Sequence, residues 1–178
     1  MRYRRAFIPG GTYFFTVTLA DRRSRLLVDR VDALRNAVAG VRARHPFTID
    51  AIVVLPDHIH TTWTLPPGDA DFPTRWTLIK AAFSCTIEKT EYVSATRNIK
   101  GERGIWQRRY WEHLIRDDDD LAGHVDYIHY NPVKHGDAAR PIDWPHSSIH
   151  RYVADGRLPA DWAGGSDSLI DTGERHSL

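Results

Sequence analysis

An α+β fold built on an antiparallel sheet is predicted by three observations. Strand-like and helix-like hydrophobic periods take turns along the first two thirds of the chain. Two strand-like runs are separated only by Pro56-Asp57, which reads as a hairpin turn. A run of four aspartates, residues 117–120, then opens a further helix after the last strand.

Residues 12–19, Thr-Tyr-Phe-Phe-Thr-Val-Thr-Leu, are β-branched and aromatic and follow Pro9-Gly-Gly, as a strand would. Leu27, Val31, Leu34, Val38 and Val41 recur at helical spacing with arginines between them, which predicts an amphipathic helix over 28–44. Pro46 stops it, and residues 47–55 read as the second strand. Residues 58–65 alternate as the third. Trp76, Ile79, Phe83 and Ile87 predict a second helix over 73–91. The polar, basic segment 94–104 reads as a mobile loop, and residues 105–115 as the fourth strand. In the last helix one aspartate serves as N-cap, the others complement the positive end of the dipole, and Leu121, Val125 and Ile128 form the buried stripe. Pro132 is expected to end that helix.

The order βαββαβ is that of the ferredoxin-like, RRM-like arrangement, an antiparallel sheet with helices on one face, here with a further C-terminal helix and a tail. That fold hosts many functions, so function has to come from the side chains. With 178 residues, 42% hydrophobic and 26% charged, the chain is long enough for one substantial core. Its single cysteine, Cys85, excludes a disulfide framework within the chain, no run is long enough for a membrane span, and a cytoplasmic location is expected. The net charge of +1 hides an asymmetry: +6 over residues 1–50, −3 over 51–73, +5 over 74–116 and −7 over 117–178. The two basic segments are either a patch for a polyanion or solvated helix faces; charge alone leaves both open.

His58 and His60 share one face of the third strand, with Ile59 pointing the other way. Neutral imidazoles are common metal ligands, although an isolated His-x-His pair is a weak signal. A histidine-triad nucleotide hydrolase is excluded because the position of its third histidine is Thr62. Tyr127 and Asn131 lie four apart on the last helix and project together. Read separately, they are a packing tyrosine and a helix stop. Read with the histidines, they offer a phenolic nucleophile and an amide oxygen beside a neutral, incomplete ligand shell, which leaves room for water and phosphodiester oxygens. His129 and Tyr130 point away from the Tyr127–Asn131 line and are expected to be structural or DNA-facing.

Three ordered blocks carry a more specific signal: Pro56-Asp-His-Ile-His60, Ile105-Trp-Gln-Arg-Arg-Tyr-Trp-Glu-His-Leu-Ile-Arg116 and Tyr127-Ile-His-Tyr-Asn-Pro-Val-Lys-His-Gly136. The chain resembles, over about residues 3–155, the REP-associated tyrosine transposases, prokaryotic single-tyrosine members of the HUH nuclease superfamily. The resemblance also takes in Trp144, Ser147, Ser148 and Tyr152. It implies a transposase domain over 1–155; the tail over 156–178 has a Gly-, Asp- and Ser-rich end after about residue 163 whose composition reads as disordered. The resemblance implies that His58 and His60 are the HUH pair, that Asn131 is the third ligand of Mg²⁺ or Mn²⁺, and that Tyr127 attacks single-stranded DNA to leave a 5′-phosphotyrosine link and a free 3′-OH. The implied substrates are REP-type palindromes folded as hairpins. A monomer is the expected state, with a homodimer that exchanges tyrosine helices as the alternative. The competing function is a catalytically silent, domesticated nucleic-acid-binding module on the same fold; an intact His58, His60, Tyr127 and Asn131 argues against it.

Arg2, Arg4, Arg5, the basic 97–109 segment and Lys134 with His135 are the expected phosphate contacts; Arg108 and Arg109 straddle the two strand faces, so at most one of them is expected to face DNA. Trp106, Tyr110 and Trp111 could stack on bases, but strand alternation assigns some of them to the core, Trp106 first.

Overall fold

The computed structural model describes residues 6–164, so Arg2, Arg4, Arg5 and the expected disorder of the tail beyond residue 164 lie outside the described residues. Strands β1 (Thr12–Thr18), β2 (Thr48–Val54), β3 (His58–Thr64) and β4 (Trp111–Leu114) form one sheet in the order β2-β3-β1-β4. All its pairings are antiparallel. The helices are α1 (Leu26–Asp29), α2 (Val31–Arg44), α3 (Phe72–Cys85), α4 (Ala95–Ile99), α5 (Asp118–Lys134) and α6 (Ile149–Ala154). This is the α+β architecture read from the periodicity. Among the described residues no helix is long and apolar enough to cross a membrane.

Both sheet faces are covered, which is why β1 and β3 are buried along nearly their whole length rather than on alternate residues. On one face Phe15, Val17, Ile59 and Trp63 pack against α1, α2 and α3, with Trp63 stacked on Trp76 at a centroid distance of 4.2 Å. On the other, Phe14, Ala51 and Val53 pack against Val125 and Ile128 of α5 and against Trp144 and Tyr152. The segment 144–152 runs along β2, the edge strand. Trp144 Nε1 donates to Val54 O, Ile52 N donates to Ser148 Oγ, and Tyr152 Oη donates to Asp50 O, so the ladder groups of the edge are occupied.

Five expected boundaries change, each for a tertiary reason. The predicted helix 28–44 is two helices, because Leu27 N donates to Pro56 O and the first turn is set by that docking. Helix α3 stops at Cys85 rather than 91: Thr86 Oγ1 closes its last turn on Phe83 O, and the Arg103 guanidinium donates to Ser84 O and Ile87 O. The predicted loop 94–104 contains α4, capped by Ser94. Strand β4 covers only four residues; upstream of it the pairing with β1 is reduced to an isolated bridge between Trp106 and Leu19, and the Trp106 indole lies in the core, where Nε1 donates to Ser84 Oγ at 3.1 Å. Helix α5 does not end at Pro132; it runs through that residue to Lys134, with His135 N bonded to Asn131 O at 3.0 Å. Asn131, although it precedes a proline, stays helical because the buried stripe of α5 holds the whole helix on the sheet.

Helix α5 also carries a buried histidine. His129 is 0% exposed, its Nε2 lies 2.9 Å from Ser148 Oγ, and burial followed by the charges of Arg151 and Arg157 pushes its pKa down to about 4. The folded state therefore takes up this proton later than the unfolded chain does. Stability is full above the ordinary histidine pKa and falls as pH drops from about 6.5 toward 4, by roughly 3 kcal/mol. Denaturant titrations at pH 7.0 and 4.5 should show that loss on top of those from the other groups with depressed pKa, and His129→Gln should remove the part due to His129. An unchanged slope in the variant would place the titrating group elsewhere.

Candidate active site

The period-two alternation of β3 turns His58 and His60 toward α5, while Ile59 goes to the opposite core. Both rings are buried, 2% and 0% exposed, with centroids 4.8 Å apart and nearly perpendicular. Each is oriented through Nδ1. His58 Nδ1 donates to Asp57 Oδ1 at 2.7 Å, and His60 Nδ1 lies 2.9 Å from Thr16 Oγ1 of β1. Burial works to raise the Asp57 carboxyl, but the hydrogen bond from His58, helped by Arg22, holds it below the usual range. An ionised carboxylate only accepts, so His58 carries its proton on Nδ1 and its lone pair on Nε2. This carboxylate–imidazole pairing is the one that orients metal-ligating histidines.

Helix α5 is placed against β2 and β3 by its buried stripe, and it brings Tyr127 onto His60, with ring centroids 5.2 Å apart at 72°. Phe14 supports both rings from β1. One turn on, Asn131 is 0% exposed, and neither its Oδ1 nor its Nδ2 has a hydrogen-bond partner among the described residues. A buried amide left in that state costs about 1–3 kcal/mol, so the fold keeps it at the expense of stability. Asn131 lies on α5 between Tyr127, which packs on His60, and His135, which packs on His58, and an amide oxygen with two imidazoles is a donor set a divalent cation takes. The residues present fit such an ion.

Lys134 completes this face. It lies seven residues after Tyr127, almost two full turns, and its Nζ donates to Tyr127 Oη at 3.0 Å while resting 4.6 Å from the ring centroid. The sequence counts it among the expected phosphate contacts; in the fold it touches the phenol. His135 closes the other side, its ring centroid 5.1 Å from that of His58. A cavity of about 420 Å³ opens there, lined by Arg22, Arg23 and Arg25 as well as His58 and His135. These arginines were not singled out from the sequence; the run Arg22-Arg-Ser-Arg25 was the available signal.

Other expected DNA contacts divide. Arg108 and Arg109 are both exposed on the segment before β4, Arg108 paired with Glu102 at 2.8 Å. Much of the neighbouring positive charge is used inside the fold. Arg97 donates to Arg103 O and Trp106 O, and Arg103 pairs with Glu91, whose carboxyl that hydrogen bond lowers to about 2. Arg75 is buried on His45 O, Pro46 O and Asp69. Trp106 lies in the core, as its alternation suggests, and Tyr110 packs against the same cluster, whereas Trp111 packs on the α5 side.

A second group with metal-ligating chemistry was missed from the sequence. His113 of β4 and Asp120 and His124 of α5 offer atoms within 4.8 Å of one another. Asp120 also takes Arg116 through N and Nε, and His124 Nδ1 donates to Asp120 O. Burial raises the Asp120 carboxyl, but the Arg116 and His113 hydrogen bonds hold it far below the usual range, while burial keeps His124 neutral. His113 and Arg116 share one oxygen, Asp120 Oδ2, and these bonds tie α5 to β4. Phe14 packs against both His124 of this group and Tyr127.

No family model matches the chain. Over 162 residues the chain is 49% identical to the REP-associated tyrosine transposase of Escherichia coli strain K12, a match covering 91% of this chain and 90% of that protein. Its structure is similar to that of a REP-associated tyrosine transposase bound to a REP hairpin, with a TM-score of 0.85 and 47% identity over 100% of this chain and 99% of that one.

Proposed function

The chain belongs to the REP-associated tyrosine transposase family, enzymes that act on DNA, and from that premise we propose that it cleaves and rejoins single-stranded DNA carrying REP-type hairpins, with Tyr127 as nucleophile. The observation that carries this reading is the half-buried Tyr127 ring packed on His60 of the buried His58–His60 pair, with the Asn131 amide, unpartnered among the described residues, one helical turn further on.

His58, His60 and Asn131 would hold Mg²⁺ or Mn²⁺. When bound, the ion supplies Lewis-acid neutralisation of charge on the phosphate. The protein's own groups do the rest. Asp57 and Thr16 hold the imidazoles by Nδ1, and Phe14 and His60 fix the tyrosine ring so that its hydroxyl is presented rather than free to rotate away. Attack forms the bond from Oη to phosphorus and breaks the bond to O3′, which leaves as a 3′-OH. The energy of the phosphodiester stays in the phosphotyrosine link, so joining is the same step reversed and needs no nucleotide cofactor.

The test is incubation of the protein with a 3′-end-labelled hairpin oligonucleotide and Mn²⁺. A labelled band that runs with the denatured protein is expected; its absence with cleavage-competent DNA would sink the reading. The packing of Tyr127 on His60 within one chain supports a site assembled in cis by a monomer. Mixing His58→Ala with Tyr127→Phe protein should therefore restore no adduct, whereas recovered activity would mean that the tyrosine helices are exchanged between chains. His58→Ala alone should still bind the hairpin.

A further inference from the structure

The contact between Lys134 and the tyrosine oxygen has a chemical consequence beyond DNA binding. Phosphate-contacting lysines point into solvent toward the backbone of the nucleic acid. Lys134 folds back along its own helix, placing Nζ 3.0 Å from Tyr127 Oη and 4.6 Å from the ring centroid. It can do so only because α5 continues through Pro132. On an unbroken helix Tyr127, Asn131 and Lys134 fall within about 60° of one another, the i, i+4, i+7 face. A helix that stopped at Pro132 would leave Lys134 with no fixed position.

We propose that Lys134 is a catalytic residue whose ammonium stabilises the negative charge on Tyr127 Oη during cleavage and joining. The proposal rests on Tyr127 being the nucleophile. In the cleavage step the phenol proton goes to water, Oη forms the bond to phosphorus, and the P–O3′ bond breaks with its electron pair on O3′, which takes a proton from water. Lys134 keeps its own proton throughout and donates a charge-assisted hydrogen bond to Oη while that oxygen is anionic. In the joining step the attacking 3′-OH expels Oη as a phenolate, and the same ammonium stabilises it as a leaving group. One cation thus serves both directions, as microscopic reversibility requires, at a point where charge develops. The two imidazoles and the amide are neutral donors, so Lys134 supplies a positive charge the donor set does not.

Single-turnover adduct formation on a 3′-end-labelled hairpin oligonucleotide with Mn²⁺, at saturating protein, tests this. Lys134→Met keeps the aliphatic stem over the ring and removes the charge. It is expected to slow adduct formation about 100-fold, the scale of removing one preorganised donor from a developing oxyanion. Lys134→Arg should recover at least about tenfold of that loss, and hairpin affinity of the Met variant should stay within about threefold of the parent. A second substrate carries sulfur in place of O3′ at the scissile bond, which makes the leaving group good without help. The Lys134→Met defect should persist on it, because Lys134 acts on the nucleophile.

An unchanged single-turnover rate overturns the proposal. So does a defect that vanishes at higher protein concentration, which would make Lys134 a phosphate contact. A defect that vanishes on the sulfur substrate would place it on the leaving group and overturns it as well. If the unaltered protein forms no adduct at all, the nucleophile assignment falls and the proposal falls with it.

Discussion

Tyr127→Phe is expected to abolish covalent attachment to hairpin DNA, a loss of at least about 10³-fold, while leaving the fold and hairpin binding intact. The change deletes one oxygen. The ring remains available to His60 and Phe14, whose contacts with it are made through the aromatic faces and edges, so packing gives no reason for the helix to move. The hydroxyl accepts from Lys134 at the solvent side, and losing that one bond costs about 1–2 kcal/mol at most. Binding is measured by retardation of the folded hairpin and attachment by the labelled band on a denaturing gel. Equal attachment by the Phe variant would show that another group is the nucleophile. Loss of binding and attachment together would make Tyr127 a DNA contact instead.

Asn131→Leu should separate stability from activity. The substituted side chain keeps the same branched heavy-atom skeleton, and it removes a buried amide whose two polar atoms are unpartnered among the described residues. The metal-free protein is expected to be as stable as the parent or more so, by about 1–3 kcal/mol, in denaturant unfolding. Mn²⁺ binding and metal-dependent cleavage should both fall by about 100-fold, because an amide oxygen is exchanged for a hydrocarbon at the proposed ion. A variant that is clearly less stable without metal would mean the amide has a structural task. Unchanged Mn²⁺ affinity would remove Asn131 from the ligand set.

Both predictions turn on positions visible in the chain, because the relations that reveal them are local. A strand repeats every two residues and a helix every 3.6, so His58 with His60 and Tyr127 with Asn131 are paired by spacing alone. The sheet elements were legible for the same reason, as was the burial of Trp106 on the opposite side of its segment from Trp111. Boundaries set by distant groups were not legible. The end of α3 is decided by Arg103, and the break between α1 and α2 by Pro56 O. Proline reads locally as a stop, yet the apolar stripe of α5 against Phe14 and Ala51 outweighs one missing hydrogen bond, and Lys134 is carried onto the tyrosine face.

Charge shows the division most clearly. Counted along the chain, residues 74–116 are a basic segment with a net +5. In the folded molecule Arg75, Arg97 and Arg103 are spent on carbonyls and carboxylates of their own domain, while Arg22, Arg23 and Arg25, from a different segment, line the cavity beside His58. Composition fixes how many charges exist, not which of them reach solvent. The sequence by itself determined the fold class, the two pairs of site residues and the family resemblance, because those rest on short-range periodicity and ordered motifs. Only the tertiary structure decided that Tyr127 meets His60, that Asn131 is left unsatisfied and that Lys134 touches the phenol. Each depends on how a helix seats on a sheet 60 residues away in sequence, and that seating is set by packing of side chains that carry no periodic signal of their partners.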